Sequence, residues 1–282
     1  VSVYPDPEYI ELKTSISNYC NCSIDNILLG SGATELISSF IETINPKKSL
    51  LLSPAYSEYE KELSKIGCNI TKYFSKKECD FNIDVDTLIE TINKDNYELI
   101  VICNPSNPTG FTFTKNEVEK EVKVSNGISL SSGLVAGGSI LGLIGVICQI
   151  LNSTNSFVMV DETYIEFTNM SIYSSTSLVD KYKNLFVIRG TSKFFSTPGI
   201  RLGYGLISNN KIKFEMNSNL DLWNINIFAS MMGEVMFNDS EFIESTYSLM
   251  TKERDYLINE LSKFADLKIY NSQGNFILCE IQ

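Results

Sequence analysis

Histidine is absent from this chain of 282 residues. Its absence excludes Ser-His-Asp and Cys-His catalysis and removes the commonest metal ligand of proteins. Acid–base chemistry must therefore use Lys, Asp, Glu, Tyr, Cys or a cofactor. Cysteine does not suggest a metal site either, because the seven cysteines are scattered and no Cys-x2-Cys zinc spacing occurs. We interpret them as reduced thiols and predict no metal.

Basic charge is also scarce, with 23 Lys and Arg against 34 Asp and Glu and a formal net charge of −11. Nucleic acid is therefore not expected as a partner, since phosphate backbones require a basic surface. A hydrophobic fraction of 43% with 20% charged residues is typical of a folded globular protein. Residues 1–9 are polar and contain proline, unlike a signal peptide, so a cytoplasmic location is expected.

Short apolar runs alternate with amphipathic segments along the chain. The strand-like runs are residues 26–29, 49–52, 70–74, 99–103, 157–160, 185–189 and 204–207. The helical segments are residues 11–21, about 33–44, 56–66, 85–93 and 241–264. This alternation predicts an α/β fold whose mainly parallel sheet is covered on both faces. Residues 267–270 and 276–280 then indicate the start of a smaller α+β domain.

Lys193 follows an apolar run and two hydroxyl residues, Thr191 and Ser192. A lysine attacks an aldehyde when burial beside cationic groups lowers its pKa. Arg201 lies eight residues further on. An isolated lysine is ordinarily a solvated surface charge, but this setting at a strand end favours a functional role.

Three further segments place polar groups after strand-like runs. Asp161 is either a helix cap or the partner of a buried cation such as a protonated pyridine nitrogen, and Tyr164 could donate to a phenolate oxygen. Asn107, within residues 104–110, belongs to a turn or directs an amide at a ring oxygen. Residues 30–34 form a plain turn or a helix start that binds an anion.

Five motifs occur in a characteristic order: GSGATE, NPSNPTG, DETY, TSK and PGIRLGY. Together they resemble the class I/II aminotransferases, in the branch of histidinol-phosphate aminotransferase and L-threonine-O-3-phosphate decarboxylase. The resemblance covers nearly the whole chain outside about 122–151. It implies pyridoxal 5′-phosphate (PLP) as cofactor and a PLP-dependent transferase-like fold. That fold has a three-layer α/β/α large domain, here residues 1–235, and a small α+β domain. Residues 236–282 would be the start of this small domain, which is incomplete here.

The resemblance also implies a role for each matching residue. Lys193 would hold PLP as a Schiff base and move protons at the substrate Cα, with Asp161 paired to the pyridine nitrogen. Asn107 and Tyr164 would bond the phenolate oxygen, and Tyr56 would stack on the ring. The catalytic set is thus Lys193, Asp161 and Tyr164. The residues implied for the cofactor phosphate are Gly32, Ala33, Thr34, Thr191, Ser192 and Arg201.

A phosphorylated amino acid is the substrate that the resemblance implies, together with a homodimer in which Tyr4 reaches the phosphate of the neighbouring subunit. Residues 223–226 and 233–235 favour O-phosphothreonine decarboxylation, a step of cobalamin biosynthesis. The alternatives are a histidinol-phosphate aminotransferase and a non-catalytic remnant that only binds PLP. Relatives continue beyond Gln282, where an arginine normally binds the substrate carboxylate, so the activity of this chain is left open here.

An apolar insert distinguishes the chain from the family pattern. No charged residue occurs in 124–160, and residues 128–151 are long and apolar enough to cross a bilayer. A membrane span would, however, separate Asn107 from Asp161, which the resemblance brings to one cofactor ring. We therefore expect a hairpin or helix packed on the protein body and no membrane insertion.

Overall fold

Seven strands of the described residues form one central sheet. A computed structural model describes residues 4–112, 140–152 and 154–282. In chain order the strands are β1 (Ile27–Gly30), β2 (Lys48–Ser53), β3 (Asn69–Phe74), β4 (Leu99–Cys103), β5 (Phe157–Asp161), β6 (Leu185–Gly190) and β7 (Gly203–Leu206). Their order across the sheet is β1-β7-β6-β5-β4-β2-β3. Neighbours from β6 to β3 are parallel, whereas β7 is antiparallel to both β6 and β1. The predicted, mainly parallel sheet is confirmed, and every predicted strand lies within one residue of its observed bounds.

Helices cover both faces of this sheet. In chain order the helices of the described residues are α1 (Ile10–Cys20), α2 (Ala33–Ile44), α3 (Ser57–Lys65), α4 (Val85–Lys94), α5 (Ile140–Asn152), α6 (Met170–Tyr173), α7 (Asn210–Asn219), α8 (Ile227–Met236) and α9 (Ser240–Leu261). Buried residues of α2, α3 and α7 share one core with Leu51 and Val101, and those of α1, α4, α5 and α8 share the other with Leu50 and Ile100. Successive strand residues thus face opposite layers, as a doubly covered sheet requires. The predicted three-layer architecture is confirmed.

Helix α5 lies between β4 and β5 in sequence and packs against β5. Because β4 and β5 are adjacent and parallel, the chain must cross over between them, and α5 belongs to that crossover. Its buried side chains, which include Leu143, Ile147 and Leu151, join the core. The described end of the predicted insert is therefore a helix packed on the body, and residues 122–139 of it lie outside the described residues. Within the described ranges, no helix is long and apolar enough to cross a membrane.

The C-terminal segment consists of α9 and an antiparallel pair, β8 (Leu267–Ile269) and β9 (Cys279–Ile281). Arg254 of α9 connects it to the body, donating to the carbonyl oxygens of Gln273 (3.0 Å), Gly274 (3.2 Å) and Phe167 (3.5 Å). These elements have the α+β composition that the sequence suggested. The domain division at residue 235 stays a prediction.

Candidate active site

A cavity of about 210 Å³ opens at the carboxyl ends of β4, β5 and β6. Open α/β sheets place their sites at this edge, where loops carry polar side chains beyond the strands. Nine residues predicted from the sequence line it: Ala33, Thr34, Tyr56, Asn107, Asp161, Tyr164, Ser192, Lys193 and Arg201. Six further residues complete the wall: Ile37, Tyr59, Cys103, Thr163, Gly190 and Pro198. Segments far apart in sequence therefore meet as the motif order suggested.

Asp161, the last residue of β5, is 3% exposed. The Tyr59 hydroxyl donates to its Oδ2 at 2.6 Å, and the backbone N–H of Thr163 donates to its Oδ1 at 2.9 Å. Burial raises the pKa of Asp161, and these hydrogen bonds oppose the rise. Neutral donors alone hold this buried carboxylate, so a cationic partner would stabilise its negative charge. A protonated pyridine nitrogen is such a partner.

Whereas Asp161 provides a site for a cation, the start of α2 provides a site for an anion. Gly32 precedes the helix at φ +85°, and among the described residues no side chain caps the first N–H groups of α2. The Arg201 guanidinium lies against this turn, since a Cβ on Gly32 would lie 2.3 Å from Nη2 of Arg201. Helix-start amides beside an arginine suit a phosphate group. The residues present therefore fit both charged ends of PLP.

Three glycines stand side by side beneath the start of α2. In the sheet register Gly203 of β7 is paired with Gly30 of β1 and with Gly190 of β6. A Cβ on Gly203 would lie 2.5 Å from the backbone N of Ala33 and from the backbone C of Gly32. The absence of a side chain at Gly203 thus lets the anion-binding turn lie directly on the sheet.

Substituting Gly203 with alanine is expected to lower the free energy of unfolding by about 1–3 kcal/mol, because the added methyl overlaps backbone that cannot rotate away. Urea denaturation of the two proteins measures this change. Gly199→Ala is the matched control, since a Cβ there meets no atom within 4 Å. Equal losses from both substitutions would contradict the packing argument.

Lys193 is exposed at the cavity, and its Nζ lies 5.7 Å from the ring centroid of Tyr164. Arg201, the neighbouring cation that the sequence pointed to, lines the same cavity. Tyr164 itself is buried and its ring packs edge-on against Phe276 of the C-terminal segment, with centroids 5.2 Å apart. That contact fixes the wall beside the lysine.

Asn107 and Tyr56 belong to two turns that follow neighbouring strands, β4 and β2. The turn around Asn107 is closed by a hydrogen bond from the Gly110 N–H to the Ser106 carbonyl (2.7 Å). Tyr56 is 38% exposed and meets the Tyr59 ring edge-on at 5.7 Å. Both residues line the cavity, and their contacts with a cofactor ring remain predictions.

Three predicted residues do not line the cavity. The Thr191 hydroxyl is buried and donates to the Leu202 carbonyl (3.1 Å), so its side chain serves the β6–β7 connection instead. Gly32 contributes only through its turn against Arg201. Tyr4 is 75% exposed and stacks on Trp223 of the same chain, with centroids 4.2 Å apart.

Tyr59 is the principal site residue that the sequence reasoning missed. It lies three residues after Tyr56, a spacing that places both side chains on one face where α3 begins. Burial raises the pKa of Tyr59 well above its usual value, and the charge of Asp161 raises it further, so Tyr59 stays a neutral donor. Burial likewise raises the pKa of the Cys103 thiol to about 12, which makes Cys103 unreactive as a nucleophile.

The segments that favoured decarboxylation have structural contacts. The Asn224 side chain donates to the Leu29 carbonyl (3.0 Å) and to the Glu35 carboxylate (3.2 Å). Asn226 caps α8 by accepting from the Ala229 N–H (3.0 Å). Neither asparagine lines the cavity. These contacts order the body of the protein, and the bearing of this segment on the reaction stays a prediction.

A mainly parallel, doubly covered sheet with lysine, aspartate and arginine gathered at its carboxyl edge defines the class of fold-type-I PLP enzymes. A family model described as aminotransferase class I and II matches residues 1–130 and 144–281. The chain belongs to this family, whose members are PLP-dependent enzymes. The unmatched internal residues, 131–143, are fewer than the insert of about 122–151 that the sequence suggested, and most of α5 lies in the matched part.

Relatives of two names match the chain at about 30% identity. A protein of Caldanaerobacter subterraneus, provisionally named threonine-phosphate decarboxylase, is 31% identical over all of this chain and 69% of its own length. The histidinol-phosphate aminotransferase of Clostridium novyi is 31% identical over 98% of this chain and 68% of its own. The solved histidinol-phosphate aminotransferase of Clostridium acetobutylicum is 30% identical with a TM-score of 0.80, over all of this chain and 75% of its own.

Proposed function

We propose that this protein binds PLP through Lys193 and decarboxylates a phosphorylated amino acid, O-phospho-L-threonine, as a step of cobalamin biosynthesis. The observation that carries the PLP site is the meeting of Lys193, Asp161 and Arg201 at one cavity. Support for the substrate comes from the names of the relatives, which include threonine phosphate and histidinol phosphate.

Each cavity residue has a distinct task under this proposal. When bound, PLP supplies an electrophilic carbonyl for the substrate amine and a ring that accepts electrons released at the substrate Cα. Asp161 would pair with the ring nitrogen, and Arg201 with the α2 amides would hold the phosphate. Asn107 and Tyr164 would bond the ring oxygen. Lys193, exposed at the cavity, can deliver or remove a proton at the substrate Cα.

Transamination of histidinol phosphate is the second candidate, because relatives of that name match the chain equally well. Both reactions begin with the same cofactor and a phosphorylated amine. They differ in the bond that is broken at Cα: decarboxylation breaks the bond from Cα to the carboxyl carbon, and transamination breaks the Cα–H bond.

The two candidates are separated by supplying purified protein and PLP with each substrate. We expect O-phospho-L-threonine to release CO₂, with unphosphorylated L-threonine as the matched control. Histidinol phosphate with 2-oxoglutarate should give no glutamate. Glutamate formation without CO₂ would favour the aminotransferase. A change in cofactor absorbance without either product would favour a protein that only binds the cofactor.

The active form is proposed to be a homodimer. Helix α8 exposes a row of large apolar side chains, Phe228, Met231 and Val235, each more than half exposed in the single chain. Such a patch on a folded protein favours association. Tyr4 would then leave its own Trp223 and reach the phosphate site of the neighbouring subunit. Light scattering of the purified protein should give twice the chain mass, and a monomer that binds PLP fully would contradict this assembly.

A further inference from the structure

Tyr59 has an unusual combination of burial and contact. Its side chain is 0% exposed, yet it lines the cavity and its hydroxyl lies 2.6 Å from Oδ2 of Asp161. It stands on the first turn of α3, and its ring is held edge-on by Tyr56. The hydroxyl therefore has little freedom to leave the carboxylate.

The contact is chemically directional. Tyr59 is a donor to one carboxylate oxygen, while Thr163 holds the other through its backbone N–H. A charge-assisted hydrogen bond of this kind favours the ionised carboxylate and fixes the plane of its two oxygens. The ring that supplies the donor is anchored in the core with Leu63 and Phe40, so the orientation is built into the fold.

We propose that Tyr59 is a positioning residue, whose hydroxyl holds Asp161 as an oriented carboxylate toward the cavity and thereby sets how tightly the pyridine nitrogen of PLP is bound. The inference rests on the proposed PLP site. It assigns to Tyr59 an action through Asp161, without direct contact to the reacting atoms.

Removing only the hydroxyl, with Tyr59→Phe, should weaken PLP binding about 10- to 100-fold, the loss typical of a buried hydrogen bond to a charged group. The dissociation constant is measured by absorbance titration of the purified protein with PLP between pH 5.5 and 8.5. Without the Tyr59 donor the pKa of Asp161 rises further, so the acidic fall in PLP affinity should begin at a higher pH than in the wild type.

If Tyr59 acts through Asp161, the effect of removing its hydroxyl must depend on Asp161. In an Asp161→Asn background, the Tyr59→Phe change should alter the dissociation constant by less than about twofold, because the group on which it acts is gone. Tyr97→Phe is the matched control, a buried tyrosine just before β4, at the end of that strand away from the cavity. It should bind PLP like the wild type.

Replacement of Tyr59 by 3-fluorotyrosine keeps the ring and hydroxyl should Tyr59→Phe fail to fold. Its stronger donor should move the acidic fall in PLP affinity to a lower pH. The positioning role is overturned if Tyr59→Phe or the fluorinated protein binds PLP like the wild type at every pH. It is also overturned if Tyr59→Phe weakens binding equally in the Asp161→Asn background. Failure of the wild type to bind PLP would instead overturn the proposed PLP site.

Discussion

Replacing Lys193 with alanine is expected to abolish covalent retention of PLP and to lower turnover by at least about 10²- to 10⁴-fold, the usual contribution of one proton-transferring group. Lys193 is the lysine that lines this cavity, together with Tyr164 and Arg201. The measurement is reduction of the PLP-loaded protein with borohydride followed by peptide mass spectrometry. The wild type should carry a pyridoxyl group on the peptide with Lys193, and the variant should carry none.

Lys183→Ala is the matched control for this experiment. Lys183 is exposed just before β6, at the end of the same strand that lies away from the cavity. Its loss should leave the pyridoxyl group and the visible absorbance of the protein unchanged. A pyridoxyl group found on another lysine in wild-type protein would contradict the assignment of Lys193.

Strands were predicted more accurately than helices, for a physical reason. Each strand of the central sheet is buried on both faces, so its sequence is a continuous apolar run, as in residues 99–103. Helices α7 and α8 were missed. Helix α7 is mostly polar and buries Ile212 and Met216, while α8 carries apolar residues on exposed as well as buried faces. Neither has the single apolar stripe that identifies a helix in a sequence.

Site residues were predicted from the sequence where a motif follows a strand. A site residue was missed where its hydrogen-bond partner is distant in the sequence. Asp161 and Lys193 each end or follow a strand, so local sequence points to them. Tyr59 lies 102 residues from its partner Asp161, and only the sheet order brings them together. The connection between β6 and β7 likewise determines that Lys193 is exposed and that the Thr191 hydroxyl donates to the Leu202 carbonyl. No local sequence pattern specifies this connection.

A buried charge cluster near the carboxyl ends of β5 and β6 was also not predicted from the sequence. Arg189 of β6 and Glu162 form an ion pair at 3.0 Å, and both are almost completely buried. Glu166, 3% exposed, lies in the same region. Among the described residues, both carboxyl oxygens of Glu166 and the Tyr19 hydroxyl lack a hydrogen-bond partner. An ionised carboxylate in such a place is costly, so Glu166 is expected to stay protonated.

Burial raises the pKa of Glu166 to about 8, and the nearby Cys20 and Glu162 add to the rise while Arg189 opposes it. Between the ordinary carboxyl pKa and 8, the folded chain holds a proton at Glu166 that the unfolded chain has released. The proton on Glu166 contributes fully to the free energy of unfolding at a pH below the pKa that Glu166 has in the unfolded chain. As the pH rises from there to about 8, this contribution falls by about 1.4 kcal/mol per pH unit. The total loss, about 5 kcal/mol, is comparable to the stability of a whole domain.

Glu166→Gln should remove this dependence, because the amide does not titrate. We expect the free energy of unfolding of the variant, relative to wild type, to rise steadily from pH 5 to pH 8 in urea denaturation. Glu62→Gln is the matched control, since Glu62 is also 3% exposed but is paired with Lys65 at 2.6 Å. For Glu62 burial is the largest effect and raises the pKa, but hydrogen bonds from Lys65 and Ser38, with the Lys65 charge, outweigh it and lower the pKa. Glu62→Gln should therefore leave the slope from pH 5 to pH 8 unchanged, and a slope equal to wild type in Glu166→Gln would show that Glu166 is ionised in the folded protein.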